Sequence, residues 1–285
     1  MKSKHIHNFG GLPAEHSDYK KSKTVILPVP FDRTSSWIRG SAGGPEAIIR
    51  ASTNMELYDI ETDSEVYKKG IHTSDEILAG SSRQMIGKVR KKVANLLNDG
   101  KFVVVLGGEH TVSLGSMTAH AGHFSNMSIL HLDAHSDMRD SYEGNKYSHA
   151  CVMARAKEFA ENIISVGIRS MASCELGTIR KENIFYADDI RRSRDWIERV
   201  TERLSGNVYI TIDLDVLDPS IMPSTGTPEP GGLLWYETLD LLRHVSEKIN
   251  IVGFDVVELC PLKGNPAPDF LAAKLIYKVL SFKFV

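Results

Sequence analysis

Apolar residues recur along this chain in two alternating rhythms. Short continuous runs fall at residues 24–29 (Thr-Val-Ile-Leu-Pro-Val), 101–106 (Lys-Phe-Val-Val-Val-Leu), 127–132 (Met-Ser-Ile-Leu-His-Leu), 163–166, 207–212 and 250–256. Runs of that length and continuity predict strands buried on both faces of a parallel sheet. Between them lie longer segments with helical spacing. In residues 84–98, Met85, Ile86, Val89, Val93, Leu96 and Leu97 share one face, and Asp99-Gly100 stops the helix. Further helices are expected from Pro45, after His110, after Ser148, near 190–204, at 235–248 and at 269–281.

Strands alternating with helices predict an α/β fold of three layers, α/β/α, around a mostly parallel sheet. No repeat, low-complexity tract or linker divides the chain, so residues 1–285 read as one domain. Residues 1–22 read as a loosely structured polar lead-in whose His5, His7 and His16 are solvated. In sheets of this kind ligand sites lie at the carboxyl ends of the strands.

Composition narrows the field by exclusion. The chain is 42% hydrophobic and 25% charged, with a formal net charge of -2. That balance argues against a nucleic-acid binder, which needs a basic excess or patch. The one basic cluster, Arg191, Arg192 and Arg194, is followed by Asp195 and Glu198 and reads as a solvated helix face. Three scattered cysteines, Cys151, Cys174 and Cys260, make neither a disulfide framework nor a thiolate metal site. A reducing, cytoplasmic setting is expected, with no signal peptide and no membrane span.

The chemistry sits where the strands end. Asp133, His135 and Asp137 follow the 127–132 strand at every second position, a spacing that points them one way if the chain stays extended. Gly-Gly-Glu-His (107–110) follows the 101–106 strand, Asp213-Leu-Asp215 follows 207–212, and Glu258 follows 250–256. Imidazoles and carboxylates gathered at one sheet edge suit hard-to-borderline cations such as Mn, Fe, Zn or Mg. The donors exceed the needs of one ion and suit two ions bridged by carboxylates.

In order along the chain, Gly-Gly-Glu-His (107–110), Asp-Ala-His-Ser-Asp (133–137), Ser-His-Ala (148–150), Asp-Leu-Asp-Val-Leu-Asp-Pro (213–219), Gly-Thr-Pro-Glu-Pro-Gly-Gly (226–232) and Asp-Val-Val-Glu (255–258) resemble the signatures of the ureohydrolases, the family of arginase and agmatinase. The resemblance implies an arginase-like fold and two Mn2+ per subunit. It implies that His110, Asp133, Asp137 and Asp213 hold one ion, and Asp133, His135, Asp213 and Asp215 the other, with Asp133 and Asp213 bridging. The implied reaction is hydrolysis of a guanidinium C–N bond to urea and an amine, in a homotrimer or homohexamer. Asp137 would also orient the attacking hydroxide, and His149 would transfer the proton, a task suited to an imidazole.

Four carboxylates and a hydroxide against two divalent ions leave a charge of -1, to which Glu258 adds. The pocket therefore favours a small cationic guanidinium, whose planar N–H edge Glu258 can pair with. The segment Met138–Gly144 lacks the Asn- and Ser-containing pattern of arginases, and the Ser-His-Ala and Pro-Glu-Pro-Gly-Gly contexts resemble the agmatinase branch. Agmatine is the expected substrate, with N1-aminopropylagmatine, arginine, guanidinobutyrate, guanidine or formiminoglutamate as alternatives. Asp140 and Glu143 are candidates to receive a distal amine. Glu109 and Thr111 stand where members often carry Asp and Ser. Thr211 replaces a common Ser, and Met222 and Ser224 are departures expected to bear on substrate fit. A metallophosphoesterase would need Gly-Asn-His where this chain has Gly144-Asn145-Lys146. A non-catalytic structural or regulatory subunit is the alternative of another class.

Overall fold

The computed structural model describes residues 8–160 and 162–285. His5 and His7 lie outside the described residues. The chain runs α1 (Ala14–Ser17), β1 (Thr24–Val29), α2 (Gly44–Ser52), β2 (Ile71–Thr73), α3 (Ser82–Asn98), β3 (Phe102–Gly107), α4 (Thr111–His123), β4 (Met127–Leu132), α5 (Val152–Ala156), β5 (Ile163–Ile168), β6 (Ile184–Tyr186), α6 (Ala187–Arg192), α7 (Trp196–Glu202), β7 (Asn207–Asp213), α8 (Trp235–Lys248), β8 (Asn250–Val257) and α9 (Ala267–Phe284). The strands form one parallel sheet in the order β2-β1-β3-β8-β7-β4-β5-β6.

The continuous apolar runs are explained by burial on both faces. In β3, Val103 and Val105 pack with Met85, Val89 and Val93 of α3. Val104 and Leu106 turn the other way, into the cluster that holds Leu275, Ile276 and Val279 of α9. Each such fully buried side chain contributes roughly 1.5–3 kcal/mol relative to leaving it in water. α3 opens on Ser81, whose side chain accepts from Gln84 N–H, and ends at Gly100, whose φ of 71° continues the chain in the left-handed region.

Four expectations are revised by the structure. β2 and β6, three residues each, are edge strands too short to register as apolar runs. The helix expected near 190–204 is two, α6 and α7, broken at Ser193, whose backbone is extended with φ -103° and ψ 141°. The described part of the lead-in, residues 8–22, is folded: Phe9 is wholly buried, and α1 follows it. Met222 and Ser224, both wholly buried, serve the packing, Met222 in the core and Ser224 by accepting Cys260 N–H on its carbonyl at 2.7 Å.

Two glycines are demanded by close approaches. A Cβ on Gly108 would meet the Phe31 carbonyl oxygen at 2.2 Å, and one on Gly253 would meet His120 Nε2 at 2.3 Å. The first lets the turn after β3 press against the β1 loop. The second seats the His120 ring, 4.6 Å from that of Tyr209, inside the α4–sheet interface. Among the described residues, no helix is long and apolar enough to cross a membrane. The carboxyl ends of β3, β8, β7 and β4 are neighbours in the sheet, and every predicted site residue but His149 ends or follows one of them.

Candidate metal centre

His110 caps the start of α4 and is held from two sides. Its backbone N–H donates to Glu258 Oε1 at 2.8 Å. Its ring Nε2 lies 2.9 Å from Thr211 Oγ1, whose own hydroxyl donates to Asp255 Oδ1 at 2.7 Å. With that proton committed, Thr211 accepts from Nε2–H, and Nδ1 carries the lone pair. Nδ1 is buried, aligned with no hydrogen bond, and faces Asp133 Oδ2 and Asp137 Oδ2 at 3.1 Å each and Asp213 Oδ2 at 3.4 Å. A lone pair facing three carboxylate oxygens in a buried site calls for a cation. Burial opposes a charged His110 ring, yet those same carboxylates hold its pKa well above the usual range, the same attraction a dication satisfies.

A second cluster forms around His135. Its Nδ1 lies 2.9 Å from Asp215 Oδ2 and 3.5 Å from Asp133 Oδ1. Burial lowers the His135 pKa, but Asp215 and Asp133 overcome this and push it up to about 12. Asp133 thus serves both clusters, with Oδ2 toward His110 and Oδ1 toward His135. Asp213 lies beside His110 through Oδ2, while its Oδ1 accepts Asp215 N–H at 2.9 Å. Asp215 Oδ1 in turn accepts Ala134 N–H at 3.0 Å.

The carboxylates are forced into mutual repulsion. Burial, followed by the neighbouring Asp215 and Asp133, holds the Asp213 carboxyl well above its ordinary range. Burial and Asp133 likewise raise Asp215. Asp133 goes the opposite way: burial opposes its ionisation, but His131, His110 and His135 keep it well below. Imidazoles and carboxylates without thiolate fit divalent cations of the hard-to-borderline class, in two adjoining positions.

The three residues of the Asp-x-His-x-Asp stretch do not converge through simple alternation. β4 ends at Leu132, His135 makes an isolated parallel bridge with Ser170, and Asp137 has φ 51°. That left-handed turn, which Asp tolerates, swings its carboxylate back to His110. The first amides of α5 complete the corner, Met153 and Ala154 N–H donating to the Asp137 carbonyl at 3.0 and 3.2 Å. Glu258 is also left-handed, with φ 65°. For a long side chain that conformation costs roughly 1–2 kcal/mol, retained where it turns a carboxylate into a site.

Beside the clusters opens a cleft of about 260 Å³, lined among others by Trp37, Ile38, Arg139, Tyr142, His149, Met171, Thr227 and Glu258. His149 stands on its wall, ring edge toward Tyr142 at 5.6 Å. Burial lowers the His149 pKa, with Asp137 pulling the other way. Glu258 is raised well above the carboxylate range by burial and by Glu109. Its Oε1 is occupied by His110 N–H; a Cβ on Gly226 would lie 3.9 Å from its Oε2 across the cleft. Asp140 and Glu143 do not line this cleft. Asp140 pairs with Arg155 at 2.7 Å and Lys146 at 3.5 Å in an exposed cluster, and the cationic Arg139 reaches the cleft wall instead, stacked on Tyr142. The distal-amine expectation for these two acids is therefore set aside.

Several residues that matter here lie outside the quoted motifs or, like Asp255, stand in one without being a predicted site residue. His131 donates to Asp133, Thr211 and Asp255 set the His110 tautomer, and Glu175 holds Ser136 Oγ and Met138 N–H on one oxygen at 2.7 and 2.9 Å. Arg169 orders the turn carrying Asp215 by donating to the Asp215 and Glu229 carbonyls at 2.6 and 2.8 Å. Their one signal was polarity inside otherwise apolar strands, as at His131, Thr211 and Asp255.

The fold and the paired clusters define a binuclear metallohydrolase. The chain belongs to the arginase family, whose family model matches residues 22–281. It is 37% identical to the N(1)-aminopropylagmatine ureohydrolase of Synechocystis, over 93% of this chain and 90% of that protein. It is 35% identical to the agmatinase of Bacillus anthracis, over 90% of each chain. Among solved structures, agmatine ureohydrolase of Thermoplasma volcanium superposes with a TM-score of 0.89 at 34% identity, covering 99% of this chain and 95% of that one.

Proposed function

We propose that the protein hydrolyses the guanidino C–N bond of agmatine, giving putrescine and urea. The observation that carries this reading is the pair of imidazole-centred carboxylate clusters sharing Asp133 beside an acidic cleft. N1-aminopropylagmatine is the second reading, favoured by the name of the Synechocystis relative.

His110, Asp133, Asp137 and Asp213 would hold one ion, and Asp133, His135, Asp213 and Asp215 the other. Two Mn2+ per subunit, when bound, supply hydroxide at neutral pH by lowering the pKa of water toward ~7. Asp137, turned into the cluster, orients the attacking oxygen. Glu258 directs its free Oε2 to the guanidinium N–H edge, and the negative site draws the cation in. As the C–N bond breaks, the hydroxyl on the tetrahedral carbon gives up its proton to form the urea carbonyl, and His149 on the cleft wall takes that proton and passes it to the departing nitrogen. Its depressed pKa suits an imidazole that ends each cycle neutral.

A homotrimer or homohexamer in the cytoplasm completes the reading. The deciding assay is urea release with Mn on agmatine, N1-aminopropylagmatine, arginine and guanidinobutyrate, with formamide release from formiminoglutamate. No product from any of them sinks the enzymatic reading; a preference for arginine over agmatine sinks the substrate assignment alone.

A further inference from the structure

Glu109 is wholly buried one residue before His110, and the metal clusters make no use of its side chain. Its Oε1 accepts Thr34 N–H at 2.9 Å, and its Oε2 accepts the Thr34 hydroxyl and, at 3.2 Å, the Thr111 hydroxyl. Its own N–H donates to the Phe31 carbonyl at 2.8 Å. A buried carboxylate thus commits both oxygens to a loop 75 residues earlier in the chain. Thr34 passes the constraint on. With its hydroxyl proton given to Glu109, its oxygen accepts His149 N–H at 3.0 Å. Glu109 Oε2 stands 3.8 Å from His149 Nδ1, too far for a hydrogen bond, so its influence on His149 runs through Thr34.

Directly after Thr34 come Ser35, Ser36, Trp37 and Ile38, which form one wall of the cleft. Trp37 is 70% exposed and Ile38 41%, so packing does little to hold this wall. We infer that Glu109 and Thr34 are positioning residues that fix the apolar wall Trp37–Ile38 and the proton-transfer His149 in one rigid relation. A cationic group bound at the clusters leaves its aliphatic chain lying between that wall and His149. The inference deepens the proposed function and rests on it for the substrate, while the Glu109–Thr34–His149 connection stands on the hydrogen bonds alone.

The test is hydrogen exchange by mass spectrometry on full-length wild type, Thr34→Val, Thr34→Ser and Glu109→Gln, with agmatine kinetics on the Mn-loaded proteins. Thr34→Val keeps the shape and removes the hydroxyl that links Glu109 to His149. We expect it to lose amide protection in peptides covering 33–38 and 149, with β3 and β4 unchanged, and the agmatine KM to rise about tenfold, the loss of one buried hydrogen-bond link. Thr34→Ser should retain both protection and KM, and Glu109→Gln should resemble Thr34→Val. Unchanged protection of both segments in Thr34→Val overturns the inference, as does loss that extends through β3 and β4. A wild-type protein inert on agmatine would refute the substrate reading and leave the exchange result to decide the connection.

Discussion

His131 Nε2 lies 2.8 Å from Asp133 Oδ2, while the other ring nitrogen lies 3.0 Å from Ser165 Oγ. A carboxylate only accepts, so Nε2 carries the proton of this bond and His131 is its donor. His131 thereby aims a carboxylate whose two oxygens face the two clusters. His131→Asn should weaken Mn binding by about 10–100-fold, the usual cost of losing a ligand's supporting partner. Titration calorimetry on metal-stripped protein reads this directly, and an unchanged affinity would remove His131 from the centre.

Asp133 itself is the sharper case. Because its two oxygens face different imidazoles, Asp133→Asn should empty both metal positions together. Metal analysis after dialysis should find close to none per chain. A variant that keeps two ions refutes the shared role.

For His149→Ala, turnover should drop by about 10²–10⁴-fold, the range for a missing proton-transfer group, with the metal content intact. His149 lines the cleft but is not among the side chains that pair within either cluster, which is why the two effects should separate. Full activity in this variant would assign the proton to another group.

His120 gives a dependence on pH that owes nothing to the metals. Burial, with His123 adding to it, lowers its pKa from 6.5 to about 4. Above the higher value the ring is neutral folded or unfolded and contributes nothing. As pH falls from 6.5 to 4, the unfolded chain takes a proton that the folded one refuses, so stability drops, by about 3 kcal/mol in full. Urea unfolding of wild type and His120→Asn across that window should show the variant losing less with acid; parallel curves would dismiss the histidine.

The central strands, and the gathering of acids and histidines at their carboxyl ends, were legible because each strand end pairs a continuous apolar run with an abrupt cluster of such residues. What could not be read was tertiary. Nothing local marks Asp137 as left-handed, since Asp is tolerated there and in extended chain alike. Asp140 follows the metal motif closely enough to suggest the substrate, yet Arg155, fifteen residues on, captures it at the surface. Met222 and Ser224 resembled pocket variation and are buried packing. Glu109 stands in a motif, but its partner Thr34 lies in a loop that carries none, so nothing local joins the two.

The neighbouring strands β3, β8, β7 and β4 are far from neighbours in time of synthesis. A growing chain that has reached Asp137 carries His110, Asp133 and His135, but Asp213 and Asp215 are made some seventy residues later, and β8, which lies between β3 and β7, is the last strand to emerge. Until β8 inserts, His110 after β3 has no common edge with the ligands that follow β4 and β7, two strands already paired with each other. An ion held between His110 and the carboxylates of β4 and β7 would therefore be captured only once β8 is in place, whereas Asp133, His135 and Asp215 come together on adjacent strands without it.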